Sequence, residues 1–252
     1  MRLRNTSWAR ALMQQTWKRS CDWMLNRNQQ EYVSKLLQKY QGPTHETDYF
    51  KDLGLDRFIV LEGVLSPEKS AQSPLFARFL YEHKNLYKNA DVLELGSGSG
   101  ILGIIMAKYG AKRVVATDIQ DVCVRNIKEN SLRYNLDCIE TRQGDLFECI
   151  DEKEKFDLIV FNYPFFYGKP IKGNTISIAI LDEGNIIKRF LSEGPRYFKP
   201  NGKIITAFSE VAGKGNDPTI HAKKYGLYIG VLETFETKTG KKFIYEVTKA
   251  QT

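Results

Sequence analysis

Asp91-Val92-Leu93-Glu94-Leu95-Gly96-Ser97-Gly98-Ser99-Gly100 is the stretch whose reading decides the fold. Its first half is a short apolar run of the kind buried in a sheet. Its second half has glycine at 96, 98 and 100, which lets the backbone turn sharply and come close to a ligand. Ile101-Leu102-Gly103-Ile104-Ile105-Met106-Ala107 follows as an apolar helix. Strand, glycine turn and helix together form the opening unit of a parallel sheet wrapped by helices. A dinucleotide fingerprint would place its third glycine one position later, where Ile101 stands.

Downstream of the turn, short apolar runs alternate with longer amphipathic ones. The pattern predicts strands at 91–95, 113–117, 139–143, 156–161 and 203–208. Helices are expected at 101–109, 121–134 and 185–198. The tail, 228–234 and 241–248 around Thr237-Lys238-Thr239-Gly240, reads as two strands joined by a tight turn. The expected fold is α/β: a Rossmann-like, doubly wound, mostly parallel seven-stranded sheet that ends in an antiparallel hairpin.

Upstream, residues 1–45 read as a helical appendage to a domain at 46–252. Apolar residues recur there at helical spacing: Trp8 with Leu12, Trp17 with Cys21 and Met24, then Tyr32 with Leu36 and Tyr40. Gln41-Gly42-Pro43-Thr44 stops the last helix. The net charge is +7 over 252 residues. Residues 1–40 carry Arg2, Arg4, Arg10, Lys18, Arg19, Arg27, Lys35 and Lys39 against Asp22 and Glu31. A basic, acid-poor N-terminus suits an organellar transit peptide or an arm that touches an anionic partner such as nucleic acid. All three tryptophans lie in it, which suits a segment that packs and stays.

No apolar run approaches the roughly 20 residues that span a bilayer, so no membrane partner is expected. Cysteines at 21, 123, 138 and 149 and histidines at 45, 83 and 221 show no ligand spacing. No metal site is therefore expected. The cysteines in apolar contexts read as small core hydrophobes in a reduced, cytoplasmic chain.

Three further stretches carry chemistry. Val114-Val115-Ala116-Thr117-Asp118 is a second strand that ends in a carboxylate, followed by Ile119. An acid at that place accepts ribose hydroxyls; the plainer alternative is an exposed cap on the helix near Asp121. Gln143-Gly144-Asp145-Leu146-Phe147 follows the third strand. Phe156 to Phe161 is a strand that ends in Asn162-Tyr163-Pro164-Phe165-Phe166.

The spacing Glu94-x-Gly96-x-Gly98-x-Gly100, with Ser97 inside it, resembles the first motif of class I S-adenosylmethionine-dependent methyltransferases. Asn162-Tyr163-Pro164-Phe165 resembles the Asn-Pro-Pro-Tyr or Asn-Pro-Pro-Phe motif of members that act on planar nitrogens. Residues 60–250 resemble the group containing release-factor glutamine and small-subunit rRNA guanine-N2 methyltransferases.

The resemblance implies S-adenosylmethionine as cofactor, held by Glu94, Gly96, Ser97, Gly98, Gly100, Asp118, Ile119, Asp145, Leu146 and Asn162. It implies that Asp145 accepts from the adenine amino group and that Glu94 either contacts the methionine ammonium or organises the loop. Asn162, Tyr163, Pro164 and Phe165 become the catalytic stretch. Asn162 offers a side-chain carbonyl, residue 163 a backbone carbonyl, and Phe165 an aromatic face. Tyr163 departs from the usual proline and loses its fixed φ, which leaves room for it to widen or redirect the pocket. In the same group, 63–73 closes over the cofactor, here offering Ser66 and Ser73. Asp182 and Glu183 read as a solvated loop or as substrate contacts.

The expected function is N-methylation of an amide or amino nitrogen on a protein, an RNA or a small molecule. Methylation at oxygen or carbon of a metabolite stays open, as does a non-catalytic cofactor-binding partner subunit, whose sequence mark would be a damaged loop. Oligomeric state is not legible.

Overall fold

A computed structural model describes residues 25–40 and 42–250. The expected helices around Trp8 to Met24 lie outside these residues. Helix α1, Arg27–Tyr40, is the described part of the appendage. A small antiparallel pair follows, β1 (His45–Thr47) with β2 (Phe58–Val60). Then comes α2, Ser73–Glu82.

The main sheet begins with the stretch first quoted. It contains β3 (Asp91–Leu95), β4 (Arg113–Asp118), β5 (Ile139–Gln143) and β6 (Phe156–Phe161). Helices α3 (Ile101–Lys108) and α4 (Asp121–Arg133) connect the first three of these strands. Next come the two-residue parallel partners β7 (Phe166–Tyr167) and β8 (Leu181–Asp182), with the short α5 (Thr175–Ile178) between them. Helix α6, Asn185–Glu193, leads into β9, Phe198–Ser209. The chain closes with α7 (Pro218–Ala222), β10 (Leu227–Thr237) and β11 (Gly240–Lys249).

Seven strands run in the order β10-β11-β9-β6-β3-β4-β5. Those from β9 to β5 are parallel, and β11 joins β9 antiparallel. The mostly parallel sheet with a terminal hairpin is thus present. The fifth strand and the hairpin are longer than the apolar runs suggested: β9 already pairs at Phe198, with Phe156, and the hairpin ends pair through polar residues such as Glu236 and Lys241.

The inner parallel strands β3, β4 and β6 are buried on both faces, as crossover helices require, whereas the edge strand β5 has no fully buried residue. Val92, Val114, Leu158 and Val160 pack with Phe76, Ile104 and Ile127 of α2, α3 and α4. Leu93, Val115 and Ile159, one position along, face Phe190 and Leu191 of α6. Val33 and Leu37 of α1 belong to this second core. No described helix is long and apolar enough to cross a membrane.

The expected helix at 185–198 stops at Glu193, where Gly194-Pro195 turns it into a single 3-10 turn before Phe198. Asp182 corrects a second expectation: it is buried, not part of a solvated loop. Its carboxylate accepts from the backbone N–H groups of Asn185 (3.2 Å) and Ile186 (3.0 Å), so it caps α6.

Candidate active site

The C-terminal ends of β3, β4 and β6 converge on the glycine turn. Gly96 has φ +54°, and a Cβ there would lie 2.6 Å from the Phe161 ring. Gly98, at φ +55°, faces open space. The two glycines divide the labour: one fits against the neighbouring strand, the other leaves room for a ligand. Ser97 is buried and donates to the carbonyls of Glu94 (3.3 Å) and Thr117 (3.1 Å), fastening the turn to β4.

Asp118 is 6 % exposed, so it is not an exposed cap. One carboxylate oxygen accepts from Gly98 N–H and the other from Gln120 N–H, both at 2.9 Å. Burial pushes its pKa above the usual carboxylate range despite these bonds. Glu94 is 2 % exposed and accepts from Gly103 N–H at 3.0 Å. Burial raises its pKa to about 8, Ser97 and Gly103 oppose the rise, and the charge on Asp118 adds to it. Two buried acids therefore flank the turn, and a cationic ligand beside them would favour their ionised forms.

Residues the sequence reading overlooked hold this arrangement. Gly103, in α3, has no space for a Cβ, which would collide with Glu94 Oε2. Asn126 and Asn130, one turn apart on α4, are fully buried. Asn126 Nδ2 donates to Ser99 and Ile59 carbonyls at 3.0 Å, while its Oδ1 accepts from Leu61 N–H at 2.6 Å. Asn130 bridges β2 to the turn in the same way. Buried asparagines four apart on an otherwise amphipathic helix were the available signal.

Two openings, of about 860 and 660 Å³, meet around Gly96, Gly98 and Asn162. The smaller is lined by Asp118, Ile119, Asp145, Leu146 and Pro164. Ile119 is half exposed at its rim, and Leu146 adopts φ +52°. Asp145 is paired with Arg189 of α6 at 2.5 Å, a partner not foreseen.

The larger opening contains Glu94, Ser97, Asn162, Tyr163 and Phe165, with Tyr32, Leu36 and Tyr40 of α1 across it. Asn162 Nδ2 reaches Ser73 Oγ at 3.4 Å, and its Oδ1 is buried without a partner. Tyr163 lines the larger opening, yet it is 1 % exposed and its hydroxyl donates to Asn216 O at 2.7 Å. Asn216 in turn donates to Asp182 O at 2.9 Å. A buried anchor thus restrains the backbone where the family has a proline. Phe165 sits edge-on to Tyr163 and Phe208. Ser73 lines the larger opening, whereas Ser66 lines neither and donates to Glu68 at 2.6 Å.

A glycine turn after the first parallel strand, a buried acid at the end of the second and an unpaired asparagine at the end of the fourth define a cofactor-dependent methyltransferase. The match is to a family: the chain belongs to the methyltransferase small domain family, whose model covers residues 57–214. A Methanocaldococcus jannaschii protein assigned as a protein N5-glutamine methyltransferase is 37% identical over 138 residues, 52% of this chain and 68% of that one. A ribosomal protein L11 methyltransferase of Thermosipho africanus is 49% identical over 131 residues, 52% of this chain but 41% of its own length. The fold is shared with a solved methyltransferase complexed with SAH (TM-score 0.56, 13% identity, 75% of this chain and 50% of that one). The protein is an S-adenosylmethionine-dependent methyltransferase. The buried acids and the open face of Gly98 fit that cofactor.

Proposed function

We propose that the enzyme methylates a planar amide or amino nitrogen, and that Asn162 holds that nitrogen. The observation that carries this reading is the buried, unpartnered Oδ1 of Asn162 beside the glycine turn. A buried carbonyl without a donor costs about 1–3 kcal/mol, which an N–H of the acceptor removes. Conjugation makes an amide or aryl amino nitrogen a weak nucleophile. Acceptors aimed at its N–H bonds favour rehybridisation. Oδ1 of Asn162 is one acceptor, the backbone carbonyl of Tyr163 the second, and Phe165 offers a face for stacking. Bound S-adenosylmethionine supplies an electrophilic methyl group on a good leaving group, so the protein's task is mainly in-line positioning.

In this reading the cofactor lies along the glycine turn. Asp118 accepts from the ribose, and Asp145, steadied by Arg189, lies beside the adenine with Ile119 and Leu146. Glu94 organises the turn through Gly103 and faces the methionine end. The acceptor is a protein, an RNA or a small molecule that bears the nitrogen. Val33, Leu37 and Tyr40 of α1 are buried, and its Lys39 donates to the Lys69 carbonyl, which supports a packing role for that helix. Cys123, Cys138 and Cys149 are free thiols, which supports a cytoplasmic location.

Incubation with methyl-labelled cofactor and separate protein, RNA and metabolite fractions tests the proposal. Label on a nitrogen of one fraction supports it; label on oxygen or carbon overturns it.

A further inference from the structure

Lys242 has no part in the chemistry so far, yet it lines the same opening as Asn162. It is 2 % exposed. Its Nζ donates to Ser209 Oγ at 2.8 Å, and among the described residues no carboxylate stands within ion-pair distance. Burial alone pulls its pKa down to about 8. Burying an ammonium costs several kcal/mol when no counter-charge repays it. Gln72 lines the same opening; it is 3 % exposed, and its amide oxygen and nitrogen are both buried without partners.

The placement follows from register. Ser209 pairs with Lys242, and Phe161, just before Asn162, pairs with Thr206. Even-numbered Glu94, Asn162 and Lys242 share the sheet face of Val92, Val160 and Ile244, as does Ser209. Polar side chains from four adjacent strands therefore form one row. At strand spacing of ~4.8 Å and a rise of ~3.3 Å per residue, Lys242 and Asn162 have Cα atoms ~12 Å apart. Both side chains rise from the same sheet face, so the ~12 Å between their bases leaves room for a molecule about the size of a single ring or amino acid.

We propose that Lys242 and Gln72 form an anion subsite in the acceptor half of the cavity, so that the acceptor is a small carboxylate carrying its planar nitrogen at the opposite end. One ammonium and one amide N–H match the charge and the two oxygens of a carboxylate better than a dianionic phosphate. The roof formed by Tyr32, Leu36 and Tyr40 favours a compact ligand over a folded macromolecule. The inference rests on Asn162 as the anchor of the nitrogen.

The test uses the full chain and two probes, 4-aminobenzoate and its neutral counterpart 4-aminobenzamide, with binding read by calorimetry. The wild type should prefer the carboxylate by at least about tenfold, the scale of one charge-assisted hydrogen bond. Lys242→Met should abolish the preference, keep the affinity for the neutral probe, and melt no lower than the wild type because a buried charge has gone. Equal binding of both probes by the wild type overturns the subsite, as does absence of carboxylate binding at millimolar concentration. The wild-type comparison stands even if the variant misfolds. Asn162→Ala should retain the anion preference, so a failure of nitrogen chemistry is distinguishable from a failure of the subsite.

Discussion

Replacing Glu94 by Gln should flatten the pH dependence of stability in the ligand-free enzyme. Glu94 is fully buried, and its pKa rises from the ordinary 4.5 to about 8. Between those values the folded chain holds a proton that the unfolded chain has released. Folding then takes up a proton, and stability falls as pH rises through the window. One proton is worth about 1.4 kcal/mol per pH unit, so the full window corresponds to a loss of at most about 5 kcal/mol. Between pH 5.5 and 7.5 the wild type should lose up to about 2.7 kcal/mol relative to Glu94→Gln. The variant keeps an acceptor for Gly103 N–H and cannot ionise. Asp118 is present in both proteins, so only its coupling to Glu94 enters the difference, while Lys242 acts in the opposite sense and mainly above pH 8. Urea unfolding at three pH values reads the effect. Parallel stability curves for the two proteins would refute the reasoning, because they would mean that Glu94 enters the fold already ionised.

Gly103→Ala should destabilise the enzyme although alanine favours helices by about 1 kcal/mol, because the new Cβ displaces Glu94 Oε2; a thermal melt above the wild type would count against this. Asn126→Ala leaves Leu61 N–H without its acceptor, while the Ile59 and Ser99 carbonyls keep Asn130 as a donor, a loss of about 1–3 kcal/mol in chemical denaturation; no measurable change would show that water takes over that bond. Asp118→Ala should weaken cofactor binding by calorimetry while the fold persists, and unchanged affinity would remove the ribose contact.

Periodicity suffices for β3, β4 and β6 because each is a largely apolar run ended by a glycine, an acid or an asparagine. It fails for 45–87, where β1 and β2 have three residues each, too few for a periodic pattern, and asparagines of α4 hold the β2 end. Within the site, Asp118 and Asn162 are legible because they end strands. Gly103, Arg189, Gln72 and Lys242 are not, since each matters through a contact across the fold. Tyr163 shows the limit of reading a motif by substitution: the sequence reveals that proline is missing, but the bond to Asn216 that restrains the backbone joins positions 53 residues apart.

The central claim is that Asn162 serves methyl transfer and not cofactor binding. Turnover and cofactor affinity measured side by side for Asn162→Ala test it most directly, on whichever acceptor takes up label. The account predicts a fall in kcat of about 100-fold or more, the scale of a lost transition-state hydrogen bond, with cofactor affinity changed less than about threefold. Full turnover in that variant, or equal losses in turnover and cofactor affinity, would contradict it.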